Sequence, residues 1–312
     1  MGKVVEARRR PRHPRAVTPH QCRLSVLRAR DAPLAVILRR GPSKHTLVVR
    51  WNLARHTFDE GQWFAGRIYP ERCDVSPDGA WWVYFAAKFK GPTPTYTALS
   101  RPPWLTAHAL WPEMGTWGGG GVFTDARTLL LNRYGGGLDS VLPHPLPLTV
   151  GSLHDAPPSL SPVRELRLGW SSVALPPDDP RTAPRSPSYP RKEPLRLVRS
   201  RPRHRGEALE HIVWGYHNDD GPWEIRAYHL TRLAPAGAPP LSLDDVEWAD
   251  WLDDGALVYA RRGALYTQRD PFGAGTDAAP RCLIDLAPRT FTRRLAPDDA
   301  TPAAPKTRGK SR

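Results

Sequence analysis

Long hydrophobic runs are missing from this sequence, and so is a recognisable secretion signal. No apolar stretch approaches the roughly 18 residues that a membrane-spanning helix needs, so no membrane partner is expected. Five arginines crowd the segment from Arg8 to Arg15, but proline, histidine and glutamine follow where a signal peptide has its apolar core. We therefore expect a cytoplasmic protein.

Cysteine is also scarce. Its three copies, Cys22, Cys73 and Cys282, lie far apart and are odd in number. Such spacing fits neither a disulfide framework nor the closely spaced ligand pairs of a zinc site. We expect reduced thiols with structural roles, and no bound metal.

Catalytic signatures are missing as well. The sequence has no Gly-x-Ser-x-Gly elbow of a serine hydrolase and no His-Glu-x-x-His of a zinc peptidase. Gly309-Lys310-Ser311 ends like a phosphate-binding loop, but Ala304 stands where that loop needs its first glycine. The glycines at 118–121 could offer N–H groups to an anion, but they lack the lysine and the following helix of such sites. We predict no catalytic residue and no cofactor.

Proline and glycine, by contrast, are abundant, with 36 and 25 copies. They favour many turns and short strands over long helices, because proline removes a backbone donor and glycine permits positive φ. The amphipathic helices that helical repeat proteins need are accordingly not found.

Two segments repeat each other, one from Asp74 to Tyr84 and one from Asp250 to Tyr259. Each has an aspartate, an Asp-Gly pair four residues later and an apolar run that ends at tyrosine. The Asp-Gly pair indicates a tight turn, and the apolar run indicates a strand buried on both faces. About four intervals of 44 residues separate the two Asp-Gly pairs.

Fainter apolar segments near the other multiples of this interval complete six candidate units; they are 31–38, 123–131, 166–175 and 210–216. A period of about 40–50 residues built from short strands is typical of a β-propeller, whose blades bury against one another the apolar faces that none covers alone. We predict an all-β propeller of about six four-stranded antiparallel blades over residues 21–296.

The turn Ser76-Pro77-Asp78-Gly79 running into a strand resembles the repeat of bacterial TolB-type propellers. Related repeats occur in the WD40-like propellers beside tricorn and prolyl-oligopeptidase enzymes. The resemblance covers one full motif and one degenerate copy at 252–255. It implies the propeller fold and says almost nothing about function. The periplasmic role of TolB is not carried over, because no secretion signal is recognised.

The net charge of +14 is concentrated in a few segments. Residues 1–50 hold thirteen Lys or Arg against two acidic residues, and residues 181–206 hold nine against one. Residues 176–194 contain seven prolines and are predicted to form an exposed loop. Residues 1–20 and 297–312 are predicted to be disordered basic tails. Such segments are usually solvated, although they also suit contact with nucleic acid.

Tryptophans and arginines gather between residues 61 and 121. Aromatic faces beside arginine donors suit a recognition surface, because they join apolar contact to directed hydrogen bonds. Three of the tryptophans lie in apolar runs and are assigned to the core: Trp81, Trp82 and Trp111. The candidate ligand-binding residues lie in glycine-containing, loop-like stretches: Arg67, Tyr69, Arg72 and Trp117.

Three functions remain open. The favoured one is a non-catalytic scaffold that binds a protein or small ligand through these aromatic and arginine loops. The second is a hydrolase or lyase with a site in the central funnel, which requires acidic or histidine side chains to converge on the axis. The third is a nucleic-acid-associated protein that acts through the basic segments 1–20 and 181–206.

Overall fold

The computed structural model describes residues 22–133, 137–142, 145–146, 148–153, 159–175, 194–216, 224–232, 240–273 and 275–302. These residues form five β-sheets that follow one another along the chain as the blades of a propeller. The predicted exposed loop, except for Pro194, lies outside the described residues. So do the predicted tails, except for residues 297–302.

Blades 1, 2 and 5 are built from antiparallel strands. Blade 1 contains β1 (Arg23–Arg28), β2 (Leu34–Arg40), β3 (His45–Asn52) and β4 (Thr57–Ala65). Blade 2 contains β5 (Arg67–Ile68), β6 (Asp74–Val75), β7 (Trp82–Ala87), β8 (Thr95–Ser100) and β9 (Ala107–Pro112), with β5 and β6 both paired to β7. Strands are numbered in chain order, so β10 to β17 belong to blades 3 and 4. Blade 5 contains β18 (Val246–Trp251), β19 (Leu257–Arg261), β20 (Ala264–Gln268) and β21 (Arg281–Asp285).

Blades 3 and 4 are less regular. Blade 3 contains β10 (Gly121–Asp125), β11 (Thr128–Leu131) and β12 (Thr149–Ser152), and β12 runs parallel to β11. The helix α1 (Ser161–Arg167) precedes blade 4, which contains β13 (Ser171–Ser172), β14 (Leu195–Ser200), β15 (Glu207–Tyr216), β16 (Glu224–Arg232) and β17 (Leu241–Ser242). No helix in the described part of the chain has the length and apolar character needed to cross a membrane.

The number of blades is five, so the expectation of about six was wrong. Two of the six candidate units, 166–175 and 210–216, belong to the same sheet, blade 4. The proline-rich segment 176–193 is inserted between the first two strands of that sheet, β13 and β14. Because of this insertion, two strands of one blade are as far apart in sequence as two strands of different blades.

Apolar residues on both faces of the strands hold neighbouring blades together, and β2 shows the pattern. Ala35 and Ile37 pack into the cluster shared with blade 5, whereas Val36 and Leu38 pack into the cluster shared with blade 2. Successive side chains of a strand point to opposite faces, so a continuous apolar run serves two interfaces.

The tryptophans assigned to the core are buried between blades, which confirms that expectation. Trp82 packs between blades 1 and 2, and Trp81 and Trp111 pack between blades 2 and 3. Two of the indole N–H groups also have hydrogen-bond partners, since Trp82 donates to the carbonyl of Trp104 at 3.0 Å and Trp111 to that of Leu138 at 2.8 Å.

The two repeated turns share one side-chain hydrogen bond. Asp78 Oδ1 accepts from the Ala80 N–H, and Asp254 Oδ1 accepts from the Ala256 N–H, each at 3.0 Å. The following glycine has a left-handed backbone in both turns, with φ of +73° and +85°. The repeat recognised in the sequence is therefore a repeat of structure.

The first aspartate of the first repeat joins two blades. Asp74 is buried on β6 and accepts from the Val75 N–H at 2.9 Å. Its second oxygen accepts from the Phe123 N–H of blade 3 at 2.8 Å. A carboxylate that accepts backbone N–H groups from two blades fixes their relative position.

The corresponding aspartate of the second repeat joins three blades. Asp250 is buried on β18 and accepts from the Trp251 N–H at 2.8 Å. It also pairs with Arg28 of blade 1 at 2.6 Å and with Arg199 of blade 4. This position was not recognised from the sequence as a contact between blades.

After blade 5 the chain runs back across blade 1 to blade 2, and we call residues 286–302 the strap. Arg289 pairs with Glu60 on β4 at 2.7 Å, and Phe291 packs against His45. Farther along, Ala300 is buried, and its carbonyl lies 3.1 Å from His108 Nε2 on β9. Residues 297–302, which the sequence assigned to a tail, thus belong to the strap.

Asp250→Ala should destabilise the protein by about 3–5 kcal/mol, because two largely buried arginines lose their shared carboxylate. Urea unfolding measures this change. The matched control is Asp253→Ala, in the turn that follows β18; its side chain is 93% exposed and lies 3.8 Å from Arg28. This substitution should change the unfolding free energy by less than about 0.5 kcal/mol, because exposed ion pairs contribute little. Equal effects of the two substitutions would contradict the role given to Asp250.

Candidate binding surface

The connections between strands lie at two rims of the propeller, because the chain reverses direction at each antiparallel strand. The four candidate residues come from the segment that begins blade 2 and from the β9–β10 connection. We call their side the arginine rim. We call the opposite side, which carries the repeated turns, the turn rim.

Arg72 anchors the β9–β10 connection to blade 2. Its side chain is only 1% exposed, and Nη1 donates to the carbonyls of Thr116 and Gly118, both at 2.5 Å. Its guanidinium also lies 5.3 Å from the ring of Phe85. Arg72 therefore positions the loop 113–120 from below and does not offer its donors to an outside ligand.

The glycines of this loop are required by close packing. A Cβ on Gly119 would lie 2.2 Å from the Phe85 ring, and one on Gly120 would lie 1.9 Å from the Arg72 carbonyl oxygen. Their N–H groups donate to Asn132 O at 2.6 Å and to Thr97 Oγ1 at 2.8 Å. These two N–H groups are therefore already used within the protein.

Arg67 and Tyr69 lie against each other. The Arg67 guanidinium carbon is 4.5 Å from the centroid of the Tyr69 ring, which makes a cation–π contact. Tyr69 is 4% exposed and packs on Phe85, and burial raises the pKa of its hydroxyl despite the charge of Arg67. Tyr69 is thus buried beneath the surface of the arginine rim, and the half-buried Arg67 covers its ring.

Trp117 extends from the anchored loop into solvent. Its side chain is 82% exposed, and that of Met114 in the same loop is fully exposed. The loop begins at Glu113, whose carboxylate accepts from Thr97 Oγ1 at 2.8 Å and lies 3.4 Å from Arg133. Sequence reasoning missed Met114, although its place between two glycine-containing stretches was a usable signal.

The four candidate residues are thus brought to one rim with two different roles. Arg72 and Tyr69 are buried and hold the surface in place, whereas Arg67 and Trp117 face outward. An arginine beside a large aromatic side chain on an anchored loop can give both hydrogen bonds and apolar contact to a partner.

Three acidic groups near the inner strands have partners within the protein. Asp74 and Asp250 join blades, and Glu165 of α1 pairs with His211 Nδ1 of β15 at 2.9 Å. His211 is fully buried, with its ring stacked on Tyr228. Although burial opposes its ionisation, the charge and hydrogen bond of His211 hold the pKa of Glu165 below its ordinary value. This pair is closed to a substrate in the structure.

Two buried carboxyl groups have raised pKa values. Burial raises the pKa of Glu247 to about 7, although the Leu24 N–H donates to it at 2.7 Å and Arg23 is close. Burial likewise raises the pKa of Asp74 to about 6, against the charge of Arg164. Both groups lie at contacts between blades, so their titration affects stability.

The basic segment 181–206 is partly structural. Three of its arginines lie at β14 and form ion pairs within blade 4 or with blade 5, Arg196 with Glu210, Arg199 with Asp250 and Arg201 with Glu207. These three guanidinium groups are therefore engaged inside the protein. The rest of the segment up to Glu193 lies outside the described residues, as does the N-terminal basic segment 1–20.

The turn rim contains two adjoining cavities of about 310 and 660 Å³ between blades 4 and 5 and near blade 1. Both are lined by Asp254, Ala256, Arg269 and Asp277. The lining contains side chains of both charge signs, including Arg269 and Asp277.

No group of three or more metal-ligating side chains occurs among the described residues. The three cysteines form no disulfide, with Cys22 and Cys73 buried and Cys282 exposed. Burial raises the pKa of Cys22 to about 11, so this thiol stays protonated at neutral pH.

Comparison with known proteins adds no relative. No family model matches the chain, no curated protein matches it and no solved structure matches it.

Arg72→Met should loosen the loop 113–120, because it leaves two carbonyls without their donor. We expect a loss of about 2–4 kcal/mol in unfolding free energy and faster amide exchange at Gly119 and Gly120. The matched control is Arg67→Met, since Arg67 makes no such bonds to the loop. Hydrogen-exchange mass spectrometry checks both variants. Unchanged exchange in the Arg72 variant would refute the anchoring role.

Glu247 should make stability depend on pH. Its folded-state pKa of about 7 exceeds the ordinary 4.5, so its contribution is fully present below pH 4.5 and is lost as the pH rises through about 7. Glu247→Gln removes this titration, and its unfolding free energy should fall less over that window. Urea unfolding at a series of pH values measures the difference. Asp125→Asn, whose carboxyl is exposed, should keep the parent's slope, and parallel profiles for all three proteins would contradict the assignment.

Proposed function

We propose that this protein is a non-catalytic propeller scaffold that binds a protein partner at the arginine rim. The observation that carries the proposal is the loop 113–120, which exposes Trp117 and Met114 while Arg72 anchors its backbone from within blade 2. Tryptophan and arginine are the residues that most often dominate the affinity of protein interfaces.

Anchoring favours binding for an entropic reason. A flexible loop must be ordered when a partner binds, and that ordering reduces affinity. Here the hydrogen bonds of Arg72, Gly119 and Gly120 hold the backbone before any partner arrives. Trp117 and Met114 can then contribute apolar burial with little further ordering of the chain.

A convex loop suits a protein surface better than a small ligand. Small ligands are bound in concave sites that surround most of their surface, and Trp117 stands outside any such enclosure. The two cavities lie at the turn rim, away from this loop. The proposal therefore takes a protein as the partner, and it keeps the cytoplasm as the location expected from the sequence.

We also propose that the chain is a divergent relative of the TolB-type propellers. The support is the pair of repeated turns, which share the aspartate-to-backbone hydrogen bond and the left-handed glycine. This kinship concerns the blades alone, since function in propellers depends on the loops that each member carries.

Trp117→Ala should reduce partner capture at least tenfold, because truncating a central tryptophan of an interface costs about 2 kcal/mol or more. Quantitative mass spectrometry of proteins cross-linked to the tagged parent and to the variant measures the change. Leu241→Ala is the control, since Leu241 is also an exposed apolar residue but lies on blade 4. If the Trp117 variant retains every partner that the parent binds, the proposal fails.

A further inference from the structure

Three arginines meet at the arginine rim between blades 1 and 2. Arg23 of β1 and Arg40 of β2 are directly opposite each other in the antiparallel register. Arg67 of β5 is close enough that its positive charge disfavours the charged form of Arg40. We call Arg23, Arg40 and Arg67 the arginine cluster.

The cluster has no ion-pair partner within the part of the chain that the structure describes. Neighbouring Arg39 shows the contrast, because it is buried and donates to the carbonyls of Leu286 at 3.0 Å and Ala287 at 2.8 Å. Arg40 is half-buried, yet none of the described carboxylates forms a salt bridge with it, with Arg23 or with Arg67.

Burial and repulsion both act on Arg40. Burial lowers its pKa first, and the positive charges of Arg67 and Arg23 lower it further, against the opposing effects of Tyr69 and Glu71. Like charges held together in a partly buried place are unfavourable unless a negative group joins them. Glu71 and, near Arg23, Glu247 are the acidic groups close by, which leaves positive charge in excess.

The cluster is continuous with the exposed aromatic loop. Arg67 stacks on Tyr69, and the Arg72 guanidinium carbon lies 5.9 Å from the same ring. Arg72 in turn bonds the Thr116 carbonyl, next to Trp117. A single ligand could therefore contact the arginines and the tryptophan together.

We propose that the arginine cluster binds a carboxylate of an acidic, apolar-containing segment of the partner protein. The inference rests on the proposed function and assigns chemistry to its partner. Arg40 and Arg67 would supply paired N–H donors, a geometry that matches the two oxygens of a carboxylate. Trp117 and Met114 would take up the neighbouring apolar side chain.

The surroundings favour a peptide over nucleic acid. A nucleic acid is bound chiefly by a row of positive charges that follows its phosphate backbone. Here the positive charge is compact, and its neighbours at the rim include the exposed apolar Met114 and Trp117. Glutamate or aspartate beside a leucine or tryptophan matches both features.

The test uses the full chain and a fluorescein-labelled peptide of alternating glutamate and leucine, with its glutamine counterpart as the neutral probe. The double variant Arg40→Gln with Arg67→Gln should bind the acidic peptide at least tenfold more weakly in anisotropy titrations. Its affinity for the neutral peptide should be unchanged. The matched control is Arg269→Gln combined with Arg281→Gln, which removes the same charge from exposed arginines of the turn rim. This control should keep the parent's affinity to within about twofold, and thermal unfolding verifies that both variants fold.

The outcomes separate this inference from the proposed function. If the two double variants lose the same affinity for the acidic peptide, net charge alone attracts the peptide. That result overturns the inference about the arginine cluster. Tighter binding of single-stranded DNA than of the acidic peptide, lost in the same cluster variant, also overturns it. A further outcome is that Trp117→Ala reduces the affinity for both peptides while the Arg40→Gln, Arg67→Gln variant reduces neither. In that case the inference about the arginine cluster fails and the proposed function stands. If the Arg40→Gln, Arg67→Gln variant loses affinity for the acidic peptide and Trp117→Ala does not, the inference about the arginine cluster is supported. That outcome counts against the binding role proposed for the loop 113–120.

Discussion

Apolar packing between blade 5 and blade 1 closes the ring. No strand pairing joins these two blades among the described residues, so the closure depends on side chains such as Leu24, Ile37 and Val258. Arg28 reaches from blade 1 to Asp250 of blade 5, and the strap crosses the outer edge of blade 1. Burial supplies most of the free energy, and these polar contacts fix the angle at which the blades meet.

Arginine has two distinct uses in this molecule. Buried copies such as Arg39, Arg72 and Arg164 donate to backbone carbonyls that no strand satisfies, because a planar guanidinium can serve several acceptors at once. Arg23, Arg40 and Arg67 of the arginine cluster, in contrast, donate to no backbone carbonyl within the described part of the chain. Part of the positive charge of the chain therefore belongs to arginines that are used in hydrogen bonds within the protein. Only the other arginines are available to a partner.

The helix α1 carries arginines that bond to neighbouring blades. Arg164 of α1 bonds the carbonyls of Pro70 and Cys73, and Arg167 bonds that of Phe123, so α1 joins blades 2 and 3 from the inside. Nearby, Glu165 pairs with His211 at 2.9 Å, and Asp74 accepts from the Phe123 N–H at 2.8 Å. At the arginine rim, the loop 113–120 is anchored by Arg72 and exposes the apolar side chains of Trp117 and Met114.

The sequence by itself determined the class of fold, because an apolar run such as β7 with an Asp-Gly turn before it is typical of a strand buried on both faces. It also identified Arg67, Tyr69, Arg72 and Trp117 as a group, since aromatic and arginine residues beside glycine are a local signal. Tertiary structure alone decided the number of blades, because an insertion inside blade 4 imitates a blade boundary along the chain. It alone separated the buried Arg72 and Tyr69 from the exposed Trp117, and brought Arg40 to Arg67, since burial and charge proximity depend on strands that are distant in sequence.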